Sequence, residues 1–106
     1  MRQTSIYVGL NDADTHQQKN GTEKYLSILK SVCHAYHVAF SVHTVVGGYF
    51  HEDGSYVEEN TLVLTLMDVP DDTIEEIAKD LCAFFHQESV MVASAASEVR
   101  FVSEQL

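Results

Sequence analysis

Two short pairs are the first residues in this 106-residue chain whose types and spacing could do chemistry. Cys33-x-x-x-His37 and Cys82-x-x-x-His86 are both i, i+4 pairs, at matching depths in two helical stretches. Two thiols and two imidazoles would suit tetrahedral zinc. At about 100° per residue, Cys33 and His37 lie about 80° and 120° round from Tyr25, and Cys82 and His86 lie about 80° and 120° from Ile74. Both pairs therefore flank their apolar stripes in the same rotational sense. On parallel, side-by-side helices one such flank meets the neighbour and the other faces away, so the four side chains are not expected to converge and no metal is expected. Half-buried cysteines and helix-end histidines that complement the dipole account for them. His34-x-x-His37 offers two ligands and no more.

Asn11-Asp12-Ala13-Asp14 opens like a calcium loop but lacks the required Gly and the closing bidentate Glu. Dinucleotide fingerprint, Walker loop and nucleophile elbow are all missing from the sequence. The residues nominate no catalytic group and no cofactor, and the reading leans away from an enzyme.

Charge is more informative. Sixteen acids against six bases leave a formal charge of −10. That repels nucleic-acid phosphate and anionic membranes, and permits attraction to a basic protein surface. Solubility alone would also account for it. The two cysteines make no disulfide framework, the first residues lack a signal-peptide run, and nothing approaches the ~18 apolar residues of a membrane span. A cytoplasmic protein of one domain, residues 1–106, is expected.

The elements that must position these residues centre on Phe40 to Met67, two strands folded back at Glu52-Asp53-Gly54-Ser55. Phe40, Val42, Thr44 and Val46 must share a face with Leu62, Leu64 and Leu66. A regular two-residue turn would put them on opposite faces. Either a three-residue loop with Gly54 left-handed or a bulge at Gly47-Gly48 restores the match. A strand over 5–10 precedes the hairpin, then a polar loop and a helix from Glu23 to about Tyr36, capped by Asn20 with Glu23 or by Thr22. After the hairpin, Asp72 and Glu75 are spaced as a capping box for a helix running to about His86. A strand over Ser89 to Ala93 is interrupted by Ser94-Ala95-Ala96-Ser97 and resumes over Val99 to Ser103.

The order β-α-β-β-α-β predicts an α+β, ferredoxin-like sandwich: a four-stranded antiparallel sheet, order 4-1-3-2, with both helices on one face. Taking the first and third strands as parallel gathers Asp12, Asp14, Asp68, Asp71, Asp72, Glu75 and Glu76 at one acidic, partner-binding pole, opposed chiefly by Lys19. Helix N-termini would attract such acids anyway, at ~0.3–1 kcal/mol each. Glu52, Asp53, Glu58 and Glu59 decorate the hairpin tip, where charge also deters edge-to-edge aggregation. The open face carries Tyr7, His43, Val45, Tyr49, Val57, Glu59, Thr61, Val63 and Met67. So much apolar area predicts a homodimer or a ligand face, unless the segment from Glu98 to Leu106 covers it.

Four short motifs complete the pattern: Gly9-Leu10 ending the first strand, Gly48-Tyr49, Asp53-Gly54, and Gln87-Glu88-Ser89-Val90 entering the last strand. In these the chain resembles small bacterial proteins of a domain-of-unknown-function class. The resemblance implies a ferredoxin-like fold and no established chemistry. Two functions are carried forward. One is a non-enzymatic acidic module, in its sharpest form a mobile-element-encoded inhibitor that mimics nucleic-acid charge against a nuclease such as a CRISPR effector. The other is a small-ligand sensor or minor enzyme, with His43, Tyr49, His51 and Tyr7 as candidate polar groups.

Overall fold

A computed structural model of the chain describes residues 1–104; Gln105 and Leu106, the end of the proposed covering segment, lie outside the described residues. The elements run β1 (Arg2–Gly9), α1 (Thr22–Ala35), β2 (Ser41–Phe50), β3 (Tyr56–Met67), α2 (Asp71–Phe84) and β4 (Met91–Ala96). The sheet order is β2-β3-β1-β4, which is 4-1-3-2 read from the other edge, and every neighbouring pair is antiparallel. This is the ferredoxin-like α+β sandwich.

Alternation places the core. Val42, Leu64, Ile6 and Val92 form one row across the sheet, and Leu62 with Val8 the next. Ile6, Val8, Leu62, Leu64 and Leu66 are wholly buried, in one cluster with Leu29, Val32 and Cys33 of α1 and Ile74, Ile77 and Leu81 of α2. Both helices therefore cover the same face. Tyr25 meets Phe85 edge to face at 5.2 Å, joining the start of α1 to the end of α2.

The hairpin solves its parity with the loop. From Ser41 opposite Thr65 to Phe50 opposite Tyr56 the register is unbroken, odd with odd and even with even, so Gly47-Gly48 makes no bulge. Glu52, Asp53 and Gly54 form a three-residue loop closed by His51 N to Ser55 O at 2.9 Å, with Gly54 at φ 88°. Beyond Gly9, which lies opposite Thr61, the two strands have no β1 beside them and project as an arm. The longest dimension is accordingly 55 Å.

Several expectations need correction. β1 and β3 are antiparallel, not parallel. A right-handed crossover makes β2 parallel to β1, so β3, folding back between them, must oppose both. The seven-acid pole is thus split: Asp12 and Asp14 follow β1 at the arm end, while Asp68, Asp71, Asp72, Glu75 and Glu76 lie at the other end. There Asp68 accepts the Arg2 backbone N–H at 2.6 Å, and Asp71 lies 3.7 Å from the Arg2 guanidinium. Neither helix uses the expected side-chain cap: α1 starts behind Gly21 and α2 behind Pro70, whose fixed φ suits a helix entry. β4 runs straight through the small residues to Ala96, pairing with Arg2, and no strand resumes over Val99 to Ser103. Ser94 Oγ hydrogen-bonds Thr4 Oγ1 at 2.9 Å, a reason for a small polar residue there. No helix of the described residues is long and apolar enough to cross a membrane.

Candidate functional site

The paired Cys-x-x-x-His spacings have a structural origin. In α1 the Val38 N–H bonds Cys33 O and the His37 N–H bonds His34 O, both at 3.2 Å. In α2 the Gln87 N–H bonds Cys82 O at 2.9 Å and the His86 N–H bonds Ala83 O at 3.4 Å. Both helices end in the same 6→1, 5→2 cap, with histidine in the left-handed position at φ 54° and 51°. The four side chains do not come together; His86 turns to Asp14 instead. Burial pushes the Cys33 thiol up to about 11, which keeps it protonated at neutral pH.

The residues that do converge surround a cleft of about 330 Å³ at the foot of the arm, on the sheet face away from the helices. Three segments build it: the loop after β1, the arm, and the turn entering β4. Asn11 ties them together. Its N–H donates to Glu59 Oε2 at 3.1 Å, and its carbonyl accepts from Gln87 Nε2 at 2.6 Å. Ala13 N donates to His86 O at 3.0 Å, and Leu10 N to Asn60 O at 2.9 Å. Gly9 leaves room for the Glu59 carboxylate, which a Cβ at this position would push aside. Glu59 is therefore held from two sides within a concave wall. Tyr49 and His51, edge to face at 5.4 Å, line it from the arm together with Val57 and Glu59.

In the cleft wall, Asp12 is buried and organises its own loop. It accepts the Asp14 and Thr15 N–H groups at 2.9 and 3.1 Å and lies 3.3 Å from Lys19 Nζ. Burial would raise its pKa, but the two N–H groups and Lys19 outweigh that and hold it below the usual carboxylate range. His86 Nε2 sits 2.8 Å from Asp14 Oδ2. The Asp14 bond first, then the Asp12 and Asp14 charges, raise the His86 pKa against burial and Lys19. Asp12, Asp14 and His86 could each offer a metal one atom, all within 4.8 Å. Lys19 and the His86–Asp14 bond already occupy these groups, so the trio is read as a loop clasp.

Of the open-face residues, Tyr49, Val57 and Glu59 line the cleft, with His51 beside them. Tyr7 and His43 lie farther along, both opposite Val63, and do not line it. Val45 and Met67 are half-buried, and Thr61 and Val63 are buried. In the described part of the segment after Ala96, Phe101 is 92% exposed and Val102 80%, so these two side chains do not lie against the face. Glu52, Asp53 and Glu58 are exposed on the arm as expected, Glu58 accepting the Tyr56 hydroxyl at 2.9 Å. Sequence reasoning missed Asn11, His16 and the side chain of Gln87 as site residues. The signal lay in the motifs: Gly9-Leu10, Gly48-Tyr49 and Gln87-Glu88-Ser89 are far apart in the chain and meet at this one cleft.

Fold and cleft together define a ferredoxin-like domain with a ligand-sized hollow at the foot of its hairpin. The chain belongs to the family described as a protein of unknown function (DUF3574), whose model matches residues 3–101. None of the curated proteins matches it. Among solved structures it is similar to a phage SAM lyase in complex with S-methyl-5'-thioadenosine, at 22% identity over 89% of this chain and 79% of that one, with a TM-score of 0.68. It is also similar to the periplasmic divalent cation tolerance protein CutA of Archaeoglobus fulgidus, at 11% identity over 93% and 87% and a TM-score of 0.58. A DUF3240 family protein of Shewanella baltica follows at 10% identity over 96% and 97%, with a TM-score of 0.55. At these identities the likeness shows the fold alone.

Proposed function

We propose that this chain binds a small cationic nucleoside of the S-adenosyl class in the cleft at the foot of the arm. The observation that carries the reading is Glu59, a carboxylate seated against Gly9 and held by the Asn11 N–H in a concave wall. Such a group suits a sulfonium or ammonium centre, while the Tyr49–His51 pair offers faces on which a purine stacks. The volume lies at the small end of the ~300–1,000 Å³ of ligand pockets, the size of a nucleoside rather than a polymer. A net charge of −10 adds long-range attraction for a cation. The fold shared with the phage SAM lyase, whose structure holds S-methyl-5'-thioadenosine, supports the same class of ligand.

Calorimetric titration of S-adenosylmethionine tests it. Saturable binding is expected, weakened at least about tenfold in Glu59→Gln, which removes a charged partner. Chromatography of the same mixture reads whether S-methyl-5'-thioadenosine is released, which separates a sensor from an enzyme. No binding of S-adenosylmethionine, its sulfide analogue or S-methyl-5'-thioadenosine would overturn the proposal.

A second reading rests on a different observation. The arm end carries Asp14, Glu52, Asp53 and Glu58 exposed to solvent, with Glu59 half-buried and Asp12 buried behind them. In this reading the chain is a cytoplasmic acidic module that occupies the basic surface of a nucleic-acid-binding protein, as an inhibitor encoded by a mobile element would. Binding to an isolated nuclease that falls steeply with salt, and falls further in Glu52→Gln/Asp53→Asn, is its expected result. Salt-insensitive or absent binding removes it.

A further inference from the structure

The two most exposed apolar stretches of the described residues lie at opposite ends of the molecule. On the arm, Val46, Phe50 and Tyr56 share the face that α1 and α2 cover farther down the sheet, and are 67%, 72% and 55% exposed. The other stretch follows β4: Val99, Phe101 and Val102, the last two almost wholly in solvent. Each is a large apolar surface with nothing over it.

They cannot meet within one chain. β4 ends with Ala96 opposite Arg2, at the start of β1, whereas the arm begins past Gly9 at its finish. Phe101, five residues beyond Ala96, reaches about 17 Å when fully extended. β1 alone spans about 23 Å, and Phe50 lies farther still. An occupant of the arm that uses this tail must come from another copy.

We infer that the segment 98–102 of one copy docks on the hairpin arm of a second. Val99 and Phe101 fall on the same side of an extended tail and meet Val46, Phe50 and Tyr56. β2 is the sheet's outer strand and leaves one edge unpaired, to which an extended segment adds as a further strand. Charge agrees. Arg100 is one of only six bases in the chain and takes no part in the ion pairs among the described residues. Alternation turns it to the opposite side of the tail from Phe101, toward the turn's Glu52 and Asp53, which hold no Lys or Arg partner there. The contact joins two different surfaces, so it is heterologous and propagates head to tail until a ring closes.

Native mass of the full chain tests it, with Phe101→Ser and Phe50→Ser as variants. Both side chains are exposed, so neither substitution threatens the fold, and circular dichroism checks this. The wild type is expected as a closed oligomer and each variant as a monomer. Mixing the two variants gives the sharper result. Each retains one intact half of the junction, so the mixture should form 1:1 dimers and nothing larger. A monomeric wild type overturns the inference. So does an oligomer indifferent to both substitutions, which would put the junction on the open sheet face. Variants that fail to pair when mixed also overturn it.

Discussion

His86 Nε2 lies 2.8 Å from Asp14 Oδ2, clasping the turn after α2 to the loop after β1 across one rim of the cleft. The bond raises the His86 pKa above its ordinary 6.5. A raised histidine pKa means that the folded state binds the proton more tightly. The clasp is therefore complete below pH 6.5 and is lost as pH rises through the higher folded value. Comparing wild type with Asp14→Asn, the melting difference should be largest near pH 6 and vanish at alkaline pH. A difference that grows with pH would refute the clasp.

Gly9 separates stability from binding. In Gly9→Ala the new methyl displaces the Glu59 carboxylate, the far end of a flexible side chain, so the fold gives way cheaply. Melting should move by the equivalent of less than about 1 kcal/mol, as for substitutions outside the core. Affinity for S-adenosylmethionine should nonetheless fall about as far as in Glu59→Gln. Unchanged affinity would show that the Glu59 position is immaterial.

Leu64 is the pivot of the core row that joins Val42 to Ile6, and it has no exposed surface. Leu64→Ala should cost about 2–5 kcal/mol in a denaturant titration, as buried leucines do. Val46→Ala, on the same face but out on the arm, should cost no more than about 0.5 kcal/mol in the monomer. Equal costs would mean that helices cover the arm as well.

The two thiols should differ in reactivity. Cys33 is fully buried, and burial holds its pKa at about 11, whereas Cys82 is half-exposed. At neutral pH a disulfide reagent should modify one thiol per native chain and the second only on unfolding. Substituting Cys82→Ser should abolish the fast phase. Two fast thiols would contradict the packing of α1.

Local chemistry made much of the fold legible. Period-two alternation and the helical stripes determined the element order, the inward row ending at Leu66, the open-face set, and the need for either a three-residue turn at Gly54 or a bulge at Gly47-Gly48, of which the structure has the turn. These are short-range constraints: each depends on which way neighbouring side chains point, and any sequence carries that directly. Helix starts were less legible, because Gly21 and Pro70 stand where the side-chain caps were expected and the backbone angles alone served. Only the tertiary structure decided what lies beside what. Strand direction split the seven acids, since whether β3 runs with or against β1 follows from the path of the whole chain and not from any local residue. The same path brings Asn11, Glu59 and Gln87 into hydrogen bonds from three distant segments, with Gly9 against Glu59, and so makes one cleft of residues that the sequence shows only as parts of separate motifs.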